Sequence, residues 1–315
     1  MNVSRAQGAR LTAAISPRLV GRMAVFAAAV TVGLITYGAW VRVSGSGLGC
    51  PNWPLCDGAS VPSDHAALIE SGHRLFAGLD MIVVGLTAVL AFVRRRDFPG
   101  PARLLMASAL FIVGQAVLGG VVVLTDLQSF VRLIHLAMAM GIIALLTIGG
   151  LGILRPAGGT RRGAWHLLLA GAGVIMVGGS IVATQSSFLC PDLPLCGESS
   201  SPMATGLHSI HRVLGVLVLL GMIVFALRLR RRGETGLLFK TTVGVAALLV
   251  AQICVGAATV ALDLPNGLRI LHVGIAATIW WGLMTVWVLS REAATARCAG
   301  EPPRRHGSRS PFPGG

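Results

Sequence analysis

The chain has 315 residues, of which 54% are apolar and only 12% charged, with a mean hydropathy of +0.76 and a net charge of +14. A soluble domain carries about a quarter charged residues, so the composition excludes an ordinary globular protein and describes an integral membrane protein. The positive charge does not point to nucleic acid, because the basic residues fall in short clusters between apolar runs and form no extended basic face.

Residues 1–22 form an arginine-bearing N-terminal segment, disordered at its start. The apolar run that follows, 23–43, is too long for the core of a signal peptide, and no small-residue cleavage site succeeds it. It reads as the first membrane span. A spanning helix needs about 20 apolar residues, and seven further runs qualify, near 71–93, 104–124, 133–154, 164–184, 206–227, 241–262 and 270–290. The polar, Pro/Gly/Arg-rich residues 291–315 read as a disordered basic cytoplasmic tail, in which Cys298 has no assigned role. Clusters of arginine precede the first span and follow the second, fourth, sixth and eighth, which places 21 of the 26 basic residues on one side. That side is cytoplasmic by the positive-inside rule, with both termini on it.

The chain states its pattern twice. Cys50-Pro51-Asn52-Trp53-Pro54-Leu55-Cys56 recurs as Cys190-Pro191-Asp192-Leu193-Pro194-Leu195-Cys196. Gly72-His73-Arg74-Leu75 recurs as Ile210-His211-Arg212-Val213. Asp126-Leu127 with Arg132 and His135 recurs as Asp263-Leu264 with Arg269 and His272. Each half contributes four helices, an even number, so the halves enter the membrane in the same sense. The expected fold is an all-α integral membrane protein of eight transmembrane helices, built as two parallel-repeat four-helix bundles over 23–154 and 164–290.

Both cysteine pairs fall on the outer side of the membrane, where disulfides persist. A structural staple, Cys50–Cys56 and Cys190–Cys196, would contribute roughly 2–3 kcal/mol by loop closure. A redox-active dithiol and a shared zinc site are the alternatives, the latter with longer spacing than zinc motifs use. Cys254, alone in mid-span, reads as a small packing residue.

His73 and His211 are expected in the first turn of the second helix of each half, and His135 and His272 in the first turn of the fourth. All four helices start at the outer surface. Four in-register imidazoles in an apolar protein are the raw material of axial haem-iron ligands, two to each half. Arg132 and Arg269 stand three residues before a histidine, on the same helix face, and suit a haem propionate pointing outward. Arg74 and Arg212 follow a histidine directly and either reach a propionate or bridge the halves; snorkelling to lipid headgroups is the alternative for all four arginines. Gln115 and Gln252, matched across the repeat, read as inter-helix hydrogen-bonding residues.

The halves differ at one telling place. Glu70 stands one turn before His73, where the second half has His208 before His211. The i, i+3 spacing sets Glu70 beside whatever His73 binds, as a candidate proton acceptor near the helix N-terminus. His208 reads as a support for His211 or a helix cap. His65, in the outer loop, and His166, near the cytoplasmic end of the fifth span, read as surface residues.

Together the eight spans, the four-helix repeat, the outer-loop cysteines, the Glu-x-x-His and the four spaced histidines resemble the haem A synthase family over nearly the whole chain. The resemblance implies an oxidoreductase that converts haem O to haem A by oxidising the C8 methyl group of the macrocycle to a formyl group, supplying terminal oxidases. It implies that His73 and His135, with Arg74 and Arg132, hold the substrate haem. His211 and His272, with Arg212 and Arg269, would hold a resident haem b as iron cofactor, and Glu70 would be the acidic catalytic residue. Haem O and haem A are the implied substrate and product, and haem O synthase and an electron donor the implied partners, in a multi-pass protein of the cell membrane. Two other readings use the same histidines: a di-haem b-type electron-transfer protein, and a haem carrier or transporter.

Overall fold

The computed structural model describes residues 15–50, 52–54, 56, 64–155, 165–194, 196–197 and 201–299, the last eight as helix backbone alone. They form eight long helices: α1 Pro17–Val43, α2 His65–Val93, α3 Pro99–Leu124, α4 Ser129–Leu154, α5 Trp165–Ala183, α6 Pro202–Arg231, α7 Leu237–Ala261 and α8 Asn266–Ala299. All eight are long and apolar enough to cross a membrane, the last over Asn266–Arg291. Large apolar side chains face outward along them, as with Leu110 at 76% exposure and Leu75 at 64%. In water that would be costly, whereas against lipid it is the favourable arrangement. The chain is a multi-pass membrane protein.

Several helices start earlier than the apolar runs. Asp64 caps α2 by accepting from the backbone N–H of Ala66 and Ala67, and Ser201 caps α6 by accepting from Ala204 N–H ahead of Pro202 at its first position. The apolar runs near 71 and 206 thus begin a turn or more inside helices that polar residues start. His73 and His211 accordingly lie in the third turn and His135 and His272 in the second, not in the first. His65 is the first residue of α2, not part of a loop, and is exposed as expected, like His166. Glu70, in the second turn of α2, is no helix-terminal charge. α8 runs to Ala299, into the segment read as a tail; 1–14 and 300–315 lie outside the described residues.

Within the first four helices, α1 packs on α2 and α4, and α3 on α2 and α4, which closes a ring; α5–α8 close a second ring in the same order. The rings meet through α1, α4 and α5 against α8 and α4. Met140, Ile143 and Ala277 are buried at this seam with Trp280 and Trp281 packed on them, and Trp280 Nε1 donates to Met140 O across it at 2.9 Å.

The two ends of the bundle differ in kind. At one end α1 and α5 pass through short 3-10 turns, Ser46–Leu48 and Ser186–Phe188, into the cysteine loops. At the same end α3 and α7 stop at paired left-handed residues, Asp126 and Leu127 (φ 51° and 62°) and Asp263 and Leu264 (φ 57° and 60°). Leu127 N–H reaches back to Val122 O at 2.8 Å and Leu264 N–H to Thr259 O at 2.8 Å. These bonds satisfy carbonyls that a helix end leaves bare and reverse the chain into α4 and α8 within a few residues. Left-handed backbone costs a non-glycine residue roughly 1–2 kcal/mol, so the identical solution in both halves fixes where the next histidine-bearing helix starts.

Candidate functional site

The cysteines form two disulfides, Cys50–Cys56 and Cys190–Cys196. This settles the pairing and removes the four-sulfur zinc site. Cys254 is exposed on α7 and faces away from the bundle, so it is not the packing residue expected from its apolar run.

Each disulfide loop is gripped by the helix that follows it. In the first half Arg74 donates to Asn52 O at 2.7 Å, Pro54 O at 3.3 Å and Cys50 O at 2.7 Å. The same guanidinium pairs with Glu70 Oε1 at 2.6 Å, and Glu70 Oε2 accepts from Cys50 N–H at 2.8 Å. In the second half Arg212 donates to Asp192 O at 3.0 Å and Pro194 O at 2.7 Å, and lies 3.3 Å from Cys190 Sγ. His208, buried, takes the place of Glu70 and donates from Nε2 to Ser186 O at 3.0 Å. The arginine after each histidine thus clamps a loop over the end of its own bundle. Glu70 is 3% exposed with both oxygens engaged, one turn from His73.

Beneath the loops sit the four histidines, each against a glycine of a neighbouring helix. A Cβ placed on Gly38 of α1 would come within 3.3 Å of His73 Cε1, and one on Gly119 of α3 within 3.3 Å of His135 Cε1. On Gly178 of α5 it would meet His211 Cε1 at 2.8 Å, and on Gly256 of α7 His272 Cε1 at 3.0 Å. The missing side chains make seats for the imidazoles. These glycines match across the repeat, as do the histidines they seat, and that register was the available sequence signal.

The polar atoms around the rings are ordered in the same way. Gln115 Nε2 donates to His135 O at 3.0 Å and Gln252 Nε2 to His272 O at 3.0 Å; they are inter-helix ties, as expected from their matched positions. His211 Nδ1 lies 3.0 Å from Val174 O. A carbonyl only accepts, so Nδ1 carries the proton and Nε2 presents its lone pair. The Nδ1 atoms of His73, His135 and His272 are buried without a partner among the described residues.

The ring centroids of His211 and His272 are 6.3 Å apart. A metal bound at about 2.0 Å by a ring nitrogen on each side, with each nitrogen about 1.1 Å from its ring centre, needs roughly 6.2 Å. The spacing, the free Nε2 and the glycine seats therefore fit a bis-histidine iron between α6 and α8. In the first half His73 of α2 and His135 of α4 occupy the matching seats, against Gly38 and Gly119. Among the described residues no group of three or more His, Cys, Asp or Glu is poised to hold a bare metal ion.

Arg132 donates to Ser129 Oγ at 3.2 Å and keeps a buried Nε with no partner among the described residues. Arg269 donates to Asn266 Oδ1 at 3.2 Å and lies over the Phe188 ring. Arg42, at the end of α1, interacts with both. Arg42, Arg132 and Arg269 thus stand at the disulfide ends of α1, α4 and α8, which pack on one another, with no carboxylate bridged to them among the described residues. Arg42 escapes a reading based on distance from a histidine.

One further asymmetry surrounds His73. Tyr37 packs edge-on to its ring at 5.6 Å, stacks on Trp40 at 5.3 Å and touches Phe76. Trp53, from the disulfide loop, lies over Gly120 beside the His135 seat. In the second half the places of Tyr37, Trp40 and Trp53 are held by Val177, Ser180 and Leu193, so these three aromatic walls belong to the first half.

Residues 21–284 match the family model COX15-CtaA, described as cytochrome oxidase assembly protein. A curated protein named heme A synthase from Symbiobacterium thermophilum is 30% identical over 281 residues, covering 82% of this chain and 90% of its own length. Another of that name, from Halalkalibacterium halodurans, is 27% identical over 291 residues, covering 86% of this chain and 98% of its own. A third, from Bacillus cereus, is 31% identical over 199 residues, 58% of this chain and 64% of its own. The family-model match runs through both helix rings and all four histidines, and with the two long relatives it leaves one conclusion: the chain belongs to the COX15-CtaA family, the heme A synthase family of membrane oxidoreductases.

Proposed function

We propose that the chain is a haem A synthase that takes haem O in its first half and oxidises the C8 methyl group to a formyl group, with a resident haem b in its second half. The reading rests on the glycine-seated imidazole pair His211–His272 at 6.3 Å, in a chain whose four histidines and four seats repeat in register. His73 and His135 hold the substrate iron, and His211 and His272 the cofactor iron. Haem b, when bound, supplies one-electron transfer.

The remaining work falls to the chain's own groups. Arg132 and Arg269, joined by Arg42, receive propionates at the disulfide end. Arg74 and Arg212 add charge there and hold the loops closed, which keeps water from the macrocycles. The C8 methyl group shares its pyrrole ring with a propionate, so this orientation turns the methyl toward Glu70. Glu70 accepts a proton at Oε1 when Arg74 yields that oxygen, while Cys50 N–H keeps the carboxylate in place through Oε2. The arginine-rich helix ends and both termini are cytoplasmic, and the disulfide loops lie on the outer face. The two rings, 23–154 and 164–290, are the parallel repeats.

The test is expression in a host that makes haem O but no haem A, followed by extraction and mass analysis of the pigments. The proposal predicts a formyl haem beside haem b with the intact chain, and haem O beside haem b without formyl haem for Glu70→Gln. Unchanged haem O beside haem b in the intact chain would overturn it in favour of electron transfer or haem carriage.

A further inference from the structure

A carboxylate lies in the middle of α2 that the chemistry above does not use. Asp80 is fully buried. Its Oδ2 lies 2.9 Å from Thr31 Oγ1 of α1, whose one proton is shared with Ala27 O at 3.0 Å, and its Oδ1 is buried with no partner among the described residues. An ionisable side chain within a span is expensive and is kept where it has work to do, and an unfilled acceptor in apolar surroundings adds to that cost. The other buried hydroxyls of this bundle are satisfied by carbonyls of their own helices: Thr87 by Val83 O, Ser108 by Leu105 O, Thr147 by Ile143 O. Gln115 Oε1 of α3 is also buried without a partner among the described residues, but Asp80 is the carboxylate in that state, and it stands in the seam between α1 and α2.

Its position is informative. Asp80 follows His73 by seven residues, two helical turns on the same face and about 10 Å deeper along α2. On α1, Thr31 precedes Gly38 by the same seven. The seat Gly38–His73 and the pair Thr31–Asp80 therefore stack in one seam between α1 and α2, the second pair nearer mid-membrane. In the other half the corresponding positions are Gly171 and Val218, and that seam is apolar.

We infer that Asp80, positioned by Thr31, recognises the hydroxyl of the hydroxyalkyl chain that distinguishes haem O from haem B. This rests on the proposed function, in which the first half holds haem O. With the propionates at the arginine end, the pyrrole carrying that chain lies on the opposite, deeper edge of the macrocycle, on the side of Asp80. A hydroxyl there donates to Oδ1 and fills the vacant acceptor. Haem B carries a vinyl group at that place and leaves it empty, and a site built to bond a hydroxyl rejects a ligand lacking one. The half assigned to haem b, whose ligand has no hydroxyl, has no such residue.

The test is a titration of the purified full chain in lipid nanodiscs, its second-half site filled with haem b, against haem O and separately haem B. The low-spin spectrum of the second-half haem reports folding, and the readout is the ratio of the two affinities. The wild type is expected to prefer haem O by roughly 5- to 100-fold. Asp80→Leu is expected to abolish the preference by weakening haem O alone. Asp80→Asn, which keeps an acceptor oxygen, is expected to retain most of it, whereas a role in carrying protons would be lost in that variant with the ratio untouched. Equal wild-type affinities, or an Asp80→Leu protein that keeps the preference or loses both ligands equally, would overturn the assignment while leaving the synthase reading intact. A wild type that makes no haem A and binds no haem O would overturn both.

Discussion

Gly178→Ala puts the account of the imidazole seats under direct strain. The new methyl carbon would stand 2.8 Å from His211 Cε1. Ordinary contact begins near 3.4 Å, so the ring must retreat by about 0.6 Å. It is not free to do so. Val174, one turn away on α5, holds Nδ1 at 3.0 Å, and the same retreat would stretch that bond to about 3.6 Å, past the useful limit. Overpacking of this kind costs about 1–3 kcal/mol; the gain of up to about 1 kcal/mol in helix propensity is common to the loaded and haem-free protein and does not offset it in binding. The expected result is a roughly 5- to 150-fold loss of haem b affinity, with helix content unchanged. Gly173→Ala, in the same helix, is the control, because its methyl would meet only Leu214 Cδ1 at 3.9 Å. The assay is titration of haem-depleted protein with haem b, read from the low-spin absorption band and accompanied by circular dichroism. If Gly178→Ala binds haem b as Gly173→Ala does, the glycine is not a seat and the site has been built wrongly.

Three further outcomes follow from the geometry. Gln252→Leu removes the tie to His272 O and should lower the thermal stability of the haem-loaded protein by about 0.5–1.5 kcal/mol, seen as an earlier loss of the low-spin band on heating. Trp280→Phe deletes the hydrogen bond to Met140 O that joins the two rings and should destabilise the chain by about 1 kcal/mol without altering the haem spectrum. Glu70→Gln keeps an acceptor for Cys50 N–H but loses the ion pair with Arg74; haem O binding should persist while formyl haem disappears, and a variant that instead loses binding would assign Glu70 to the loop alone.

The spans were legible because lipid leaves no alternative to long apolar helices, so hydropathy and length suffice. The starts of α2 and α6 were not, since Asp64 and Ser201 begin those helices from polar sequence that hydropathy passes over. Histidines were conspicuous because an ionisable group in a span needs a reason. Their glycine partners were not, because glycine is common in membrane helices and its purpose appears only when the neighbouring ring is in place. Arg74 and Arg212 were readable as cations near a histidine, but their grip on loop carbonyls depends on how each disulfide folds back, which spacing along α2 and α6 does not encode. Asp80 was missed because an isolated carboxylate acquires meaning only from its depth, its partner Thr31 and its vacant oxygen.

The division of labour between the halves is tested most directly by the optical spectrum of purified protein carrying single histidine replacements. The account predicts that His211→Ala or His272→Ala removes the low-spin haem b band, and that His73→Ala or His135→Ala leaves it in place while haem O binding is lost. Loss of that band in the first-half variants, with its survival in the second-half variants, would contradict the assignment.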